Sequence, residues 1–224
     1  MLYIVSTPIG NLKDISQRAL DTLGSVDAVA MESPTDSLRL LHAYGISGKK
    51  VVKYNDRNKK EVEKRMCELL VQGDVAYISS AGTPGISDPG QDLVALARSL
   101  GVEVRIVPGP SALVSAIVAS GFRARQFTFV SFPPKRSGQL KKLFQEFLSR
   151  EELLVFFESP YRIIKTLETL EGIAPQCKVC VAKEITKLFE NYFIGDPDNV
   201  IEQLQKDAKQ LRGEFVVVVD FSGN

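Results

Sequence analysis

Ser79-Ser80-Ala81-Gly82-Thr83-Pro84-Gly85-Ile86-Ser87-Asp88-Pro89-Gly90 is the stretch on which the reading of this chain turns. An apolar run, Val75-Ala76-Tyr77-Ile78, precedes it and reads as a buried strand. Gln91 to Leu100 follows and reads as a helix. A strand that runs into a loop of small residues and then into a helix is the usual α/β device for holding a small ligand at the carboxyl end of a sheet. Gly82, Gly85 and Gly90 let backbone amides approach a ligand, and Pro84 and Pro89 stiffen the loop. Asp88 followed by Pro89 predicts a helix start, with Asp88 as N-cap and Pro89 at the first helical position. The loop is neither G-x-G-x-x-G nor G-x-x-x-x-G-K-[ST], which argues against a nicotinamide fingerprint or a P-loop. A plain Gly/Pro-rich surface turn would use the same residue types.

Outward from this loop, the first half alternates strand and helix. Strands are expected at Leu2 to Ser6, Val26 to Met31, Lys50 to Tyr54, Val75 to Ile78 and Val102 to Val107. Helices are expected at Asp14 to Leu23, Ser37 to Tyr44, Lys59 to Val71 and Gln91 to Leu100, with Glu32 to Asp36 as a polar turn. Such alternation predicts a mostly parallel sheet covered on both faces. A second small-residue loop, Thr7 to Asn11, also follows a strand. Pro108-Gly109-Pro110 halts the last strand and reads as the boundary between an α/β domain over 1–109 and a second over 110–224. Beyond it come Ala112 to Ser120 and Leu140 to Leu148 as helices, and Ser159-Pro160 opening another. Strands are expected at Phe127 to Phe132, Leu153 to Phe157, Lys178 to Lys183 and Leu188 to Ile194, the last two as a hairpin. Asp198 to Gln205 is helical, and Glu214 to Phe221 reads as a central strand. More strands than helices implies a mixed sheet there.

The 224 residues suffice for one large domain or two small ones, and 44% hydrophobic content fits a globular chain. A formal net charge of +1 provides no global basic field, so any nucleic-acid contact must come from a local patch. Cys177 and Cys180 have C-x-x-C spacing, but no second pair accompanies them and they fall in a strand pattern, so buried thiols are expected rather than a metal or redox site. No signal-peptide pattern opens the sequence, and no apolar run reaches the roughly 18 residues of a membrane span; a cytoplasmic protein is expected.

Several blocks together resemble a known family. Leu2-Tyr3-Ile4-Val5-Ser6-Thr7-Pro8-Ile9-Gly10-Asn11-Leu12, Ala81 to Gly90, Pro108 to Ala112 and Pro134-Lys135-Arg136-Ser137-Gly138 are similar to successive motifs of it. So are Phe156-Phe157-Glu158-Ser159-Pro160 with Arg162, Ala182-Lys183-Glu184-Ile185-Thr186-Lys187, and Gly213-Glu214. The family is that of the bacterial small-subunit ribosomal RNA cytidine 2′-O-ribose methyltransferases, within the tetrapyrrole methylase superfamily. The resemblance covers the whole chain in order. It implies two α/β domains, a homodimer, S-adenosylmethionine in the cleft between the domains, and ribosomal RNA or the small subunit as substrate. By resemblance the cofactor is lined by Pro8, Ser80, Gly82, Thr83, Ile86, Ser111, Ala112, Phe157, Ala182 and Glu214. No metal or membrane contact is implied.

The chain departs from the family pattern in its first half. Ser80 stands where Asp is usual, Glu32-Ser33-Pro34-Thr35 where Glu-Asp-Thr-Arg is usual, and Asn55-Asp56-Arg57 where a His-Glu-His run is usual. A ribose hydroxyl is weakly acidic and needs a base or a charged neighbour to attack a methyl group. Glu32 and Asp88 are the candidates, against plainer roles as a solvated turn residue and a helix cap. Glu184 is a third carboxylate, able equally to pair with Lys183 or Lys187, and the sole histidine, His42, reads as a surface helix residue. Lys135 and Arg136 head the densest cationic cluster, with Arg123, Arg125, Lys141 and Lys142, and with Arg162 they are the candidate RNA contacts; Phe132 could stack a base. Two other readings stand beside this one: a methylase of a tetrapyrrole or other small molecule, and a non-catalytic cofactor- or RNA-binding paralogue.

Overall fold

The computed structural model describes residues 1–150 and 152–222. The chain divides into two compact units, Met1–Ser111 and Ala112–Asn224. Among the described residues, ten strands form two five-stranded sheets, one in each unit.

The first unit runs β1 (Leu2–Val5), α1 (Gln17–Ser25), β2 (Ala28–Met31), α2 (Pro34–Ala43), β3 (Lys50–Lys53), α3 (Lys59–Gln72), β4 (Val75–Ile78), α4 (Gly90–Ser99) and β5 (Val104–Val107). Its strand order is β3-β2-β4-β1-β5, and all neighbours pair in parallel. Strand residues alternate between faces. Leu2, Ile4, Ala28, Ala30, Val75 and Tyr77 pack with Met66 and Leu70 of α3 and with Leu93 and Ala97 of α4. Val5, Val29, Met31, Ala76 and Ile78 pack on the opposite face with Ala19 and Leu23 of α1 and Leu41 of α2. Both faces are therefore closed to water, which is why these strands read as continuous apolar runs.

This arrangement positions the site. The chain leaves β1 for α1 on one face, and leaves the adjacent β4 for α4 on the other. It leaves β2 for α2 and the adjacent β3 for α3 in the same divergent way. Each divergence opens a crevice at the carboxyl ends of the strands, the place where open α/β sheets bind ligands.

The second unit runs α5 (Ala112–Ser120), β6 (Phe127–Phe129), α6 (Ser137–Phe147), β7 (Leu153–Glu158), α7 (Ile163–Glu171), β8 (Lys178–Lys183), β9 (Asn191–Gly195), α8 (Pro197–Gln205) and β10 (Phe215–Asp220). The order is β6-β7-β10-β8-β9, with β6 and β7 parallel and the other pairs antiparallel. The valine-rich β10 is central, and β8 and β9 form the expected hairpin. Phe156, Val217 and Val181 meet α6, α7 and α8 through Phe144, Leu167 and Leu204.

Several element starts differ from the sequence reading. The helix expected from Asp14 begins at Gln17, because Ser16 caps it by accepting from the Ala19 amide, and Leu12–Asp14 forms a separate 3-10 turn. The helix expected from Ser37 begins at Pro34, whose fixed φ suits a first helical position. The N-cap before α4 is Pro89 rather than Asp88. Ser159-Pro160 does not open α7: the amides of Arg162 and Ile163 both donate to the Ser159 carbonyl, and the helix starts a turn later.

Phe156 is fully buried and stands 6.2 Å from the Phe144 ring, centroid to centroid. Phe156→Ala leaves a cavity in the core of the second unit and should lower the unfolding free energy by about 3–5 kcal/mol, measured by urea denaturation.

Candidate functional site

Three loops of the first unit converge at the β1/β4 crevice. Thr7 and Gly82 exchange both backbone hydrogen bonds, at 2.9 and 3.1 Å, and so join the loop after β1 to the loop after β4. Gly82 sits at φ +75°, and a Cβ on it would meet Ile9 at 3.2 Å. Only glycine takes that conformation without strain. The Ser6 hydroxyl donates to Thr83 Oγ1 at 3.0 Å, and the Thr83 hydroxyl donates to the Pro110 carbonyl at 3.1 Å, which adds the loop after β5. Gly109 completes the seam, since a Cβ there would stand 2.9 Å from Ser6 Cβ. Pro8, Gly82, Thr83 and Ser111 thus belong to one cradle, and exposed Ile86 lies on the same Ser79–Pro89 loop. The Thr7 hydroxyl is buried there with no hydrogen-bond partner among the described residues, an orphan polar group that a ligand can satisfy.

Asp88 is committed to the loop itself. Its carboxylate accepts from the Gly85 amide at 2.9 and 3.0 Å, from the Gly90 amide at 2.9 Å, and from the Tyr77 phenol at 3.3 Å. Burial, reinforced by Asp88 itself, pushes the Tyr77 phenol far above its ordinary range, so it stays a donor. These contacts make Asp88 a staple that fixes the loop rather than a free proton acceptor.

Glu32 is placed differently. Its Oε2 accepts from the Ser80 amide at 2.9 Å and from the Ser80 hydroxyl at 2.8 Å, while Oε1 has no donor among the described residues. Ser80 therefore orients Glu32. Both line a cavity of about 490 Å³ at the β2/β3 crevice, together with Ser33, Pro34, Thr35, Lys53, Asn55, Asp56, Arg57 and Asn58.

In the second unit, Phe157 and Ala182 are both register partners of Val216 on β10, so three adjacent strands align them in one row. Glu214, two residues before Val216, sits on a latch. Glu184, in a left-handed backbone at φ 50°, accepts from the Glu214 amide at 2.9 Å, and Lys187 bridges the Glu184 and Glu214 carboxylates at 2.9 Å each. Burial alone would raise the Glu184 carboxyl, but the Lys187 ammonium and the Glu214 amide hold it below the usual range. Gly213 permits the contact, because a Cβ there would lie 2.6 Å from Glu184. Lys135 and Arg136 are exposed at the start of α6. Arg162 is not a free cation: its guanidinium donates to the carbonyls of Pro133 and Pro134 and stands 3.5 Å from buried Glu158. It braces the loop that carries Lys135 and Arg136.

Burial raises both the Cys177 and the Cys180 thiol to about 12, so neither is a nucleophile at neutral pH. Among the described residues no group of three or more His, Cys, Asp or Glu could hold a metal ion, and no helix is long and apolar enough to cross a membrane. A family profile described as Tetrapyrrole (Corrin/Porphyrin) Methylases matches residues 1–200. The chain belongs to this tetrapyrrole methylase family. A relative named ribosomal RNA small subunit methyltransferase I, from Thermotoga maritima, is 42% identical over 219 residues, 97% of each chain. Its namesake in Bacillus subtilis is 37% identical over 225 residues, covering all of this chain and 76% of that protein. Among solved structures, the methyltransferase CobJ matches with a TM-score of 0.68 and 16% identity, covering 98% of this chain and 93% of that one. Cobalt precorrin-4 methyltransferase, a cobalamin biosynthetic enzyme, matches at 0.66 and 16%. At that identity the two structures share the fold of this chain.

Within this tetrapyrrole methylase fold, both small-residue loops were legible in the sequence, whereas Lys53 was not marked and Arg57 stood out only as part of the Asn55-Asp56-Arg57 run. Their signal was position alone: both flank the end of a short strand, and only the sheet order sets that strand beside β2.

The depressed Glu184 carboxyl gives the latch a pH signature. Its contribution to stability is present above the unfolded value of about 4.3 and is lost as pH falls through the lower folded value. The stability difference between the natural protein and Glu184→Gln should therefore be constant near neutrality and shrink in acid, measured by urea denaturation across pH.

Proposed function

We propose that this chain transfers a methyl group from S-adenosylmethionine to the ribose 2′-hydroxyl of a cytidine in small-subunit ribosomal RNA. The observation that carries the reading is full-length relatedness to proteins named for methylation of that RNA. The reading includes a homodimer and a cytoplasmic location, both taken from the family resemblance.

The residues present fit the cofactor. The Thr7–Gly82 seam offers closely approachable backbone, and the buried Thr7 hydroxyl lacks a partner among the described residues. Pro8, Gly82, Thr83, Ile86 and Ser111 of the first unit would hold it, and the family resemblance adds Ala112, Phe157, Ala182 and Glu214 of the second unit. When bound, S-adenosylmethionine supplies a methyl carbon activated by its sulfonium. The protein's part is orientation and proton handling. Glu32 presents Oε1 to the acceptor hydroxyl and takes its proton there, while Ser80 holds Oε2. Ser80 thus has a positioning role through Glu32 rather than a direct hold on the cofactor. Asp88 keeps the loop shaped. Lys135 and Arg136 contact phosphates of the RNA, and Arg162 keeps their loop in place.

Titration calorimetry should give micromolar binding of S-adenosylmethionine and S-adenosylhomocysteine, and tritiated methyl should pass to small subunits lacking the modification. Absence of cofactor binding at high concentration would remove the reading. Methylation of a porphyrin or corrin, and not of subunits, would replace it with a small-molecule methylase. Glu32→Gln should lower kcat by about 10²–10⁴-fold and leave cofactor affinity unchanged. The double variant Lys135→Glu, Arg136→Glu should lose subunit binding while retaining cofactor affinity; equal subunit binding would remove that patch from the interface.

A further inference from the structure

We propose that the β2/β3 crevice is a phosphate-binding subsite for the acceptor strand, in which Lys53 and Arg57 hold the phosphates flanking the reacting ribose. The inference rests on the RNA reading above and assigns a binding role to two residues outside the motifs that carried it.

Topology makes the place. The loops after β2 and β3 leave adjacent parallel strands toward opposite faces, so their divergence opens a second crevice beside the β1/β4 cradle. Its volume of about 490 Å³ lies within the range of small-ligand sites.

Charge selects the occupant. Asp56 lines the cavity but is paired with Lys59 at 2.9 Å, and Lys59 also reaches Asp92 at 2.6 Å. Lys53 and Arg57 are exposed, and among the described residues their side chains form neither an ion pair nor a hydrogen bond. The cavity therefore combines two cations that have no partner among the described residues with one oriented carboxylate, Glu32. A nucleotide within a strand has the matching set: a phosphate on either side and a hydroxyl donor between them.

The platform is hydrogen-bonded within itself. Asn55 Oδ1 accepts from the amides of Arg57 and Asn58, Asn58 Oδ1 accepts from the Asn55 amide at 2.8 Å, and Asn58 Nδ2 donates to the Lys53 carbonyl at 2.9 Å. The side chains of two asparagines thus lock the backbone that bears both cations. Loop ordering, a usual cost of binding, is already met.

The test is fluorescence anisotropy of a fluorescein-labelled five-cytidine oligoribonucleotide against the full protein, from low to moderate salt. Lys53→Gln, Arg57→Gln should bind at least tenfold more weakly than the natural protein. The slope of log affinity against log salt should fall by about 1.4, roughly 0.7 for each phosphate released. Cofactor affinity by calorimetry should not change, and Lys53→Arg, Arg57→Lys should restore binding. Equal affinity and slope in natural and Gln proteins overturns the subsite, as does absence of oligonucleotide binding by the natural protein. Binding of uroporphyrin that depends on these two cations, in place of the oligonucleotide, overturns it as well. If the natural protein transfers no methyl to subunits but the Gln variant still loses oligonucleotide affinity, the enzyme reading fails and the subsite stands. If methyl transfer proceeds equally in both, the subsite fails alone.

Discussion

The reciprocal backbone pair between Thr7 and Gly82 is the contact on which the first unit's site depends. Parallel strands direct their carboxyl-end loops toward the same edge but do not connect them. Here two backbone hydrogen bonds join loops that are 75 residues apart in sequence, and the Ser6–Thr83–Pro110 relay draws in a third. Gly82 makes this possible because its φ of +75° is closed to most side chains. A cradle built from backbone and short hydroxyls leaves little side-chain freedom to lose when a ligand enters.

The carboxylates around the site divide the work by their partners. Asp88 accepts from three donor groups of its own loop and its supporting strand, so its charge is used to shape the loop. Glu32 is held on one oxygen and, among the described residues, open on the other. Glu184 has a cation and an amide as partners and stabilises a left-handed turn that β-sheet geometry alone would not favour. Residue type alone does not separate these roles; the count and origin of donors does. The same logic demotes Arg162, whose guanidinium is taken up by the carbonyls of Pro133 and Pro134, and promotes Lys53 and Arg57, which have no such partners among the described residues.

The two halves were legible to different degrees. Alternating apolar and amphipathic segments announced a parallel sheet in the first unit, and all its pairs are parallel. The change of pattern after Pro110 announced a mixed sheet, and the valine-rich strand is its centre. Element starts were less legible wherever a cap came from outside the periodic segment. Pro34 opens α2 from within a stretch that looks like a polar turn, and α7 starts at Ile163, a turn after the Ser159-Pro160 pair. Local polar residues serve turns and helix starts alike, so their sequence cannot choose between the two.

The sequence by itself determined the class of fold, the positions of the Gly/Pro loops and the burial of Cys177 and Cys180, because periodicity and conformational preference are local properties. It also carried the family, through motifs spread along the whole chain. Tertiary structure alone decided which loops meet. Strand order is set by nonlocal packing, and it places β3 beside β2 and β4 beside β1. That order turned Ser80 into the partner of Glu32. It also set Lys53 and Arg57 at the mouth of a second crevice, for which nothing in their immediate sequence provides.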